Sequence, residues 1–218
     1  MDERLCNMYQ EMKIIDFLNE VDSPSPAPGG GSVAALCGSL GVALSRMYAH
    51  LSISKKRFKD LDETVQIQFL RTFQMMEAKR SELLEAIDQD SEAYNTVMEA
   101  IHMPKDSDEQ RTARSEAMQK ATISAIESPY HIMELSTEIM STFMDIIPFG
   151  NKNAVSDIAV GVLMLDTAVK SAGYNVRINL SSLQDDALRT AWQKRMEEQL
   201  SKSESWKTLL LREAEKYL

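Results

Sequence analysis

Between Phe58 and Ile101 the apolar positions Leu61, Val65, Phe69, Phe73 and Met76, then Leu83, Ile87, Tyr94 and Met98, recur at spacings of three and four. That is the period of a helix with one buried face, and it fits either one long helix or two broken near Asp88. A second such pattern starts after Asp106-Ser107-Asp108-Glu109, whose side chains suit a helix start, and continues to Ile147. Pro129 falls inside it and removes a backbone donor, which predicts a kink or break near Ser128. Residues 154–172 are apolar on most sides and predict a buried helix that Gly173 can end; Asn175 to Leu180 reads as a loop extension. Leu188, Trp192, Met196, Leu200, Ser203, Trp206 and Leu210 share one face of a terminal helix. From Val33 to Leu44 the chain is small and apolar, with Gly38, Gly41, Ala34, Ala35, Ala43 and Ser45 keeping one flank slim for close contact within the subunit or across a dimer. Arg46 cuts this run short of the roughly 20 residues a membrane span needs. With no sustained alternation anywhere, the expected fold is all-α, a bundle of long antiparallel helices forming one domain over 1–218.

One stretch is hard to explain by packing alone. Residues 23–35 read Ser-Pro-Ser-Pro-Ala-Pro-Gly-Gly-Gly-Ser-Val-Ala-Ala. Alternating prolines stiffen the approach, while Gly29, Gly30 and Gly31 allow close approaches that a side chain forbids. If Ser32 caps the following helix, the free amides of its first turn form a seat for a carboxylate or another electron-rich group. The segment reads equally as a ligand loop or as a stiff leader to a helix.

The 218 residues are 44% hydrophobic, enough for one sizeable core, and 24 basic against 33 acidic side chains give a net charge of -9. Such a balance argues against nucleic acid as a partner. Cys6 and Cys37 stand far apart without CxxC spacing, which suggests neither a disulfide framework nor a zinc site and fits a reducing compartment. The start, Met-Asp-Glu-Arg, shows no secretory pattern, so a cytoplasmic protein is expected. His50, His102 and His131 are scattered, with no metal-ligand spacing. Gly-x-Ser-x-Gly is absent, and Gly-Gly-Gly-Ser lacks the Lys of a P-loop. The fourteen methionines fall at core spacing and read as filling.

Three segments together resemble the cyclodeaminase and methenyltetrahydrofolate cyclohydrolase family, which also forms the C-terminal part of formiminotransferase-cyclodeaminase. They are Pro26 to Gly41 followed by Leu51-Ser-Ile-Ser-Lys-Lys-Arg-Phe58; Asp90-Ser-Glu-Ala-Tyr-Asn-Thr-Val-Met-Glu-Ala with Met103-Pro-Lys105, leading through Arg114 to Ser128-Pro129; and Gly150-Asn-Lys-Asn-Ala-Val-Ser-Asp157 with Asn175 to Leu180 and Asp185. The match spans residues 14–190. After the glycine helix the family pattern is Leu-Thr-x-Gly-Lys-Lys-x-Tyr. Here Ser52 keeps the hydroxyl, whereas Ser54 replaces a glycine and Phe58 a phenol, changes that bear on turnover more than on fold.

The resemblance implies an all-helical homodimer that binds a folate near the glycine turn and the subunit contact, with no metal or redox cofactor, no nucleic acid and no membrane. Two reactions occur in the family: hydrolysis of 5,10-methenyltetrahydrofolate to 10-formyltetrahydrofolate, and closure of 5-formiminotetrahydrofolate with loss of ammonia. The first is the expected activity and the second the alternative; a non-catalytic folate-binding or scaffold dimer is the third reading. Each reaction needs a proton-transfer group, a negative charge facing the amidinium, and donors for the anionic tail. Carried onto this sequence, Asp90 and Asp157 are expected to move protons and offset charge, with Lys56 near the reacting centre. Pro28, Gly29, Gly30, Gly31, Ser32, Lys55, Asn151 and Asn153 are the expected substrate-binding residues. On residue types alone, Asp90 reads first as a solvated helix carboxylate, Asp157 fits a helix cap as well as a functional carboxylate, and Lys55-Lys56-Arg57 fits a solvated helix end. Asn175 and Asn179 suit either a pterin edge or the bracing of their own segment.

Overall fold

The computed structural model describes residues 8–218, so Cys6 and the first four residues of the chain lie outside the described residues. Seven α-helices follow in order: α1 (Ile14–Val21), α2 (Gly30–Ile53), α3 (Lys56–Lys59), α4 (Glu63–His102), α5 (Asp108–Ser141), α6 (Val155–Leu180) and α7 (Asp186–Glu215). No strand occurs among the described residues, as the all-α expectation holds. The α4 pattern is a single helix of 40 residues, opened by the Asp62 carboxylate accepting from the Thr64 amide. Ser107 opens α5 with a capping box, its hydroxyl accepting from the Gln110 amide while the Gln110 side chain accepts from the Ser107 amide.

Four sequence expectations are corrected. Of the kink or break expected near Ser128, the break does not occur: α5 runs unbroken through Pro129. The proline lacks the N–H that would bond the Ala125 carbonyl four residues back, and Asn179 Nδ2 of α6 donates to that carbonyl instead, at 2.6 Å. α5 also ends at Ser141 rather than Ile147, passing into 3₁₀ turns at Phe143–Asp145 and Ile147–Phe149. Gly173 does not end α6, and Asn175 to Leu180 is helix, not loop. Nothing at Gly173 turns the chain. The glycine faces Leu200 and Met133 at ordinary contact distance, so it is a packing surface.

The helices α2, α4, α5 and α6 form a four-cornered bundle in which α2 and α5 each pack on α4 and α6, while α7 closes the α5–α6 side. α2 and α6 run antiparallel at backbone contact. A Cβ on Gly161 would collide with Ser45 Oγ, and one on Gly41 would meet the Gly161 carbonyl at 2.9 Å. The slim flank of α2 is thus used inside the subunit. α2 is long and apolar enough to cross a membrane, but 56% of its most apolar window is buried in this packing. Its opposite face leaves Val33, Leu40, Met47 and Leu51 exposed, as α6 does Val160 and Leu163. α7 is pinned to α6 by a buried carboxylate that the sequence pattern does not flag. Asp166 accepts from Ser203 Oγ at 2.8 Å and pairs with Lys170 and Lys207. Bonds to Asp166 and then Glu204 hold the Lys170 ammonium above its ordinary range.

Candidate functional site

α2 begins at Gly30, with Gly29 as an uncapped first residue and the Ala27–Pro28 peptide cis. Ser32 is not the cap: it sits inside the first turn, fully buried. Its amide donates to Asp90 Oδ2 at 3.0 Å, and its hydroxyl donates to the Ile87 carbonyl at 2.8 Å with Ser91 Oγ at 3.2 Å. The seat for a negative group at this helix end is therefore filled by the chain's own Asp90. Glycine is required here, because a Cβ on Gly31 would collide with the Asp90 carboxylate. A Cβ on Gly30 would stand 3.1 Å from Asn175 Nδ2, so Asn175 of α6 completes a cluster with Gly30, Gly31, Ser32 and Asp90. Burial pushes the Asp90 carboxyl above its ordinary range, and the two bonds from Ser32 only partly offset that.

The asparagine turn lies at the other end of α2. Tyr48 donates its hydroxyl to the Ile147 carbonyl at 2.9 Å, and Ser52 Oγ accepts from the Asn151 amide at 2.8 Å. Gly150 is a glycine because any Cβ there would collide with the Tyr48 hydroxyl. Asn151 in turn accepts from the Asn153 amide and starts the turn that leads into α6. Around this loop a cavity of about 410 Å³ is lined by Lys55, Lys56, Phe58, Asn151 and Asn153. Asp157 follows in the first turn of α6, half-buried. Ser54 has ordinary right-handed helical angles, φ -71° and ψ -14°, so no glycine is needed at this position. Phe58 is buried edge-on against Phe69 with ring centroids 5.0 Å apart.

The expected site residues thus fall into two groups. Pro28, Gly29, Gly30, Gly31 and Ser32 lie at the Asp90 end of α2; Lys55, Lys56, Asn151 and Asn153 line the cavity at the other end, with Asp157 four residues after Asn153 in the first turn of α6. From Gly30 to Ser52 the helix rises about 33 Å, so within one subunit the groups do not meet. Among the described residues no set of three or more His, Cys, Asp or Glu is placed to hold a metal ion. Asn175, read from sequence as bracing or pterin contact, stands at the Asp90 group. The clue to its place lies in α6 being helical through residue 180, which the sequence reading did not foresee.

The sequence model described as formiminotransferase-cyclodeaminase matches residues 13–198. The chain belongs to this family. Formimidoyltransferase-cyclodeaminase of Gallus gallus is 34% identical over 200 residues, covering 92% of this chain and 36% of that protein. The chain therefore spans about a third of the length of such relatives. Methenyltetrahydrofolate cyclohydrolase of Methylorubrum extorquens is 33% identical over 171 residues, 78% of this chain and 80% of that protein. The crystal structure of formiminotetrahydrofolate cyclodeaminase from Thermotoga maritima superposes with a TM-score of 0.76 at 26% identity, covering 96% of each chain. Family membership thus rests on sequence and on fold independently.

Proposed function

We propose that this chain is a cytoplasmic folate one-carbon enzyme that hydrolyses 5,10-methenyltetrahydrofolate to 10-formyltetrahydrofolate and works as a homodimer. The observation that carries this reading is the buried Asp90 carboxylate, seated on the glycine start of α2 beside Asn175. A carboxylate with a raised pKa suits proton transfer near neutrality, and in its ionised form it offsets an amidinium cation. In the reaction water adds to the carbon between N5 and N10 as Asp90 takes one of its protons; Asp90 then returns that proton to N5 as the C–N5 bond breaks, and the remaining hydroxyl proton leaves to solvent as the formyl C=O forms. The amidinium carbon is already electrophilic, so this chemistry calls for no metal or redox cofactor. The similarity to the Methylorubrum cyclohydrolase, which this chain covers over most of its length, supports the choice of reaction.

The separation of the two groups supports the homodimer. A second copy set antiparallel on the exposed apolar faces of α2 and α6 brings its Lys55, Lys56, Asn151, Asn153 and Asp157 to the Asp90 end of the first. The two-fold then makes two equivalent sites. Lys56 and Asp157 stand near the reacting carbon, with Lys55 and the asparagines along the pterin edge. Neither a membrane nor a nucleic acid enters this reading.

The likeness to the Thermotoga cyclodeaminase over the whole chain favours the second reading, ammonia-releasing closure of 5-formiminotetrahydrofolate in the same pocket. One absorbance experiment separates the two. Loss of the methenyl band on adding purified protein to 5,10-methenyltetrahydrofolate is the expected result. Growth of that band from the 5-formimino compound, without loss in the first cuvette, assigns the cyclodeaminase reaction. No change in either cuvette sinks both and leaves a non-catalytic dimer.

A further inference from the structure

Past the glycine end of α2 the bundle continues with three helices. α2 stops at Gly30, level with Asp90 and Asn175, whereas α4 runs twelve residues further to His102, a rise of about 18 Å. α6 continues to Leu180, about 8 Å beyond Asn175, and turns through Ser182–Gln184. There, between the first turns of α5 and that loop, lies a cavity of about 390 Å³ lined by Lys105, Arg111, Arg114, Met118, Thr122 and Leu183.

Its charge is unusual for a protein of net charge -9. Arg111 is paired with Asp108. Among the described residues, Lys105 and Arg114 have no acidic partner. The Arg114 guanidinium donates to the Ile101 carbonyl from Nε and from Nη2, at 3.3 and 3.2 Å, which orients it without neutralising it. Two uncompensated cations over an apolar floor of Met118 and Leu183 match a ligand with an aromatic or aliphatic body and a carboxylate end.

We propose that this cavity holds the p-aminobenzoylglutamate arm of the folate, with its carboxylates on Lys105 and Arg114 and its ring on Met118 and Leu183. The assignment rests on the folate reading above. Summed bond lengths give such an arm a reach of about 12 Å, which falls between the two offsets from the Asp90 level. The tail charge is then met at the Asp90 end of the same subunit, and Lys55 and Lys56 are left to the pterin half.

The test is a fluorescence titration of the full chain with p-aminobenzoylglutamate and, separately, with p-aminobenzoate, alongside the KM for 5,10-methenyltetrahydrofolate. Wild type is expected to bind the glutamate-bearing fragment at least about tenfold more tightly than p-aminobenzoate. Lys105→Ala with Arg114→Ala removes that preference and raises KM about tenfold at unchanged kcat. Lys105→Glu alone, an exposed substitution that leaves the Ile101 bonds in place, reproduces the loss. The assignment is overturned if wild type shows no preference, or if the variants keep it. Turnover with an unchanged KM in the variants rejects the cavity and keeps the reaction. A lost preference without any wild-type turnover keeps the cavity and rejects the reaction.

Discussion

Asp90 is a charged group held where burial disfavours its charge, and the sign of that effect can be measured. Below the ordinary carboxyl value of 3.8 both the folded and the unfolded chain carry the proton. As pH rises, the unfolded chain releases it first, so stability falls until the folded carboxyl ionises as well. Asp90→Asn keeps an acceptor for the Ser32 amide and removes this slope. The variant is expected to melt higher than wild type at neutral pH, with equal melting at pH 3, while kcat drops about 10²- to 10⁴-fold. Thermal melts across pH and the methenyl assay check the two halves. The neighbouring glycines give a contrast: Gly31→Ala pushes a methyl into the Asp90 carboxylate, whereas a Cβ on Gly29 meets only the Pro26 carbonyl at 3.6 Å. Gly31→Ala should cost about 1–3 kcal/mol and most of the activity, and Gly29→Ala should cost far less in a denaturant titration. That glycines matter here was legible from their crowding in the sequence. That they meet Asp90 was expected only from the resemblance, because Asp90 lies 58 positions from Ser32.

At the scale of helices, α5 shows why local rules predicted a break that did not form. The missing donor at Pro129 is replaced by Asn179, a partner 54 residues on in another helix. Asn179→Ala leaves the buried Ala125 carbonyl without a donor and should cost about 1–3 kcal/mol. Pro129→Ala restores the local donor, so the two substitutions should couple in a double-mutant cycle, the asparagine change costing less in the alanine background. Additive costs would show that Asn179 does not stand in for the donor missing at Pro129. The long helices themselves were legible, since amphipathic period and capping side chains act within a few residues, as at Ser107 and Gln110. Gly173 and residues 175–180 were misread for the converse reason: Gly173 faces Leu200 and Met133, Asn175 meets Gly30 and Asn179 donates to the Ala125 carbonyl, contacts that a local pattern does not contain.

Taken as a whole, the molecule offers two incomplete groups at opposite ends of one helix and an uncovered apolar strip between them. Leu40→Glu with Leu163→Glu puts charge on that strip away from the core and should give a folded monomer by light scattering, with helical content intact and turnover lost. Mixing offers a stricter check. Asp90→Asn and Asp157→Asn are each expected to be inactive, yet random exchange of the two makes half the dimers mixed, each with one intact site. Recovery of about a quarter of wild-type activity is expected; no recovery would place both aspartates in one subunit's site. The candidate site residues were drawn from three segments that carry the resemblance. Their separation in space was not legible, because motif order carries no information on the length of α2, about 36 Å for its 24 residues. The Asp90 seat has a last consequence for turnover. On the hydrolase reading proposed above, the methenyl compound would arrive positively charged and the formyl product leave neutral at the same carbon, so the attraction that draws the substrate in would be extinguished by the reaction and release eased by the chemistry itself.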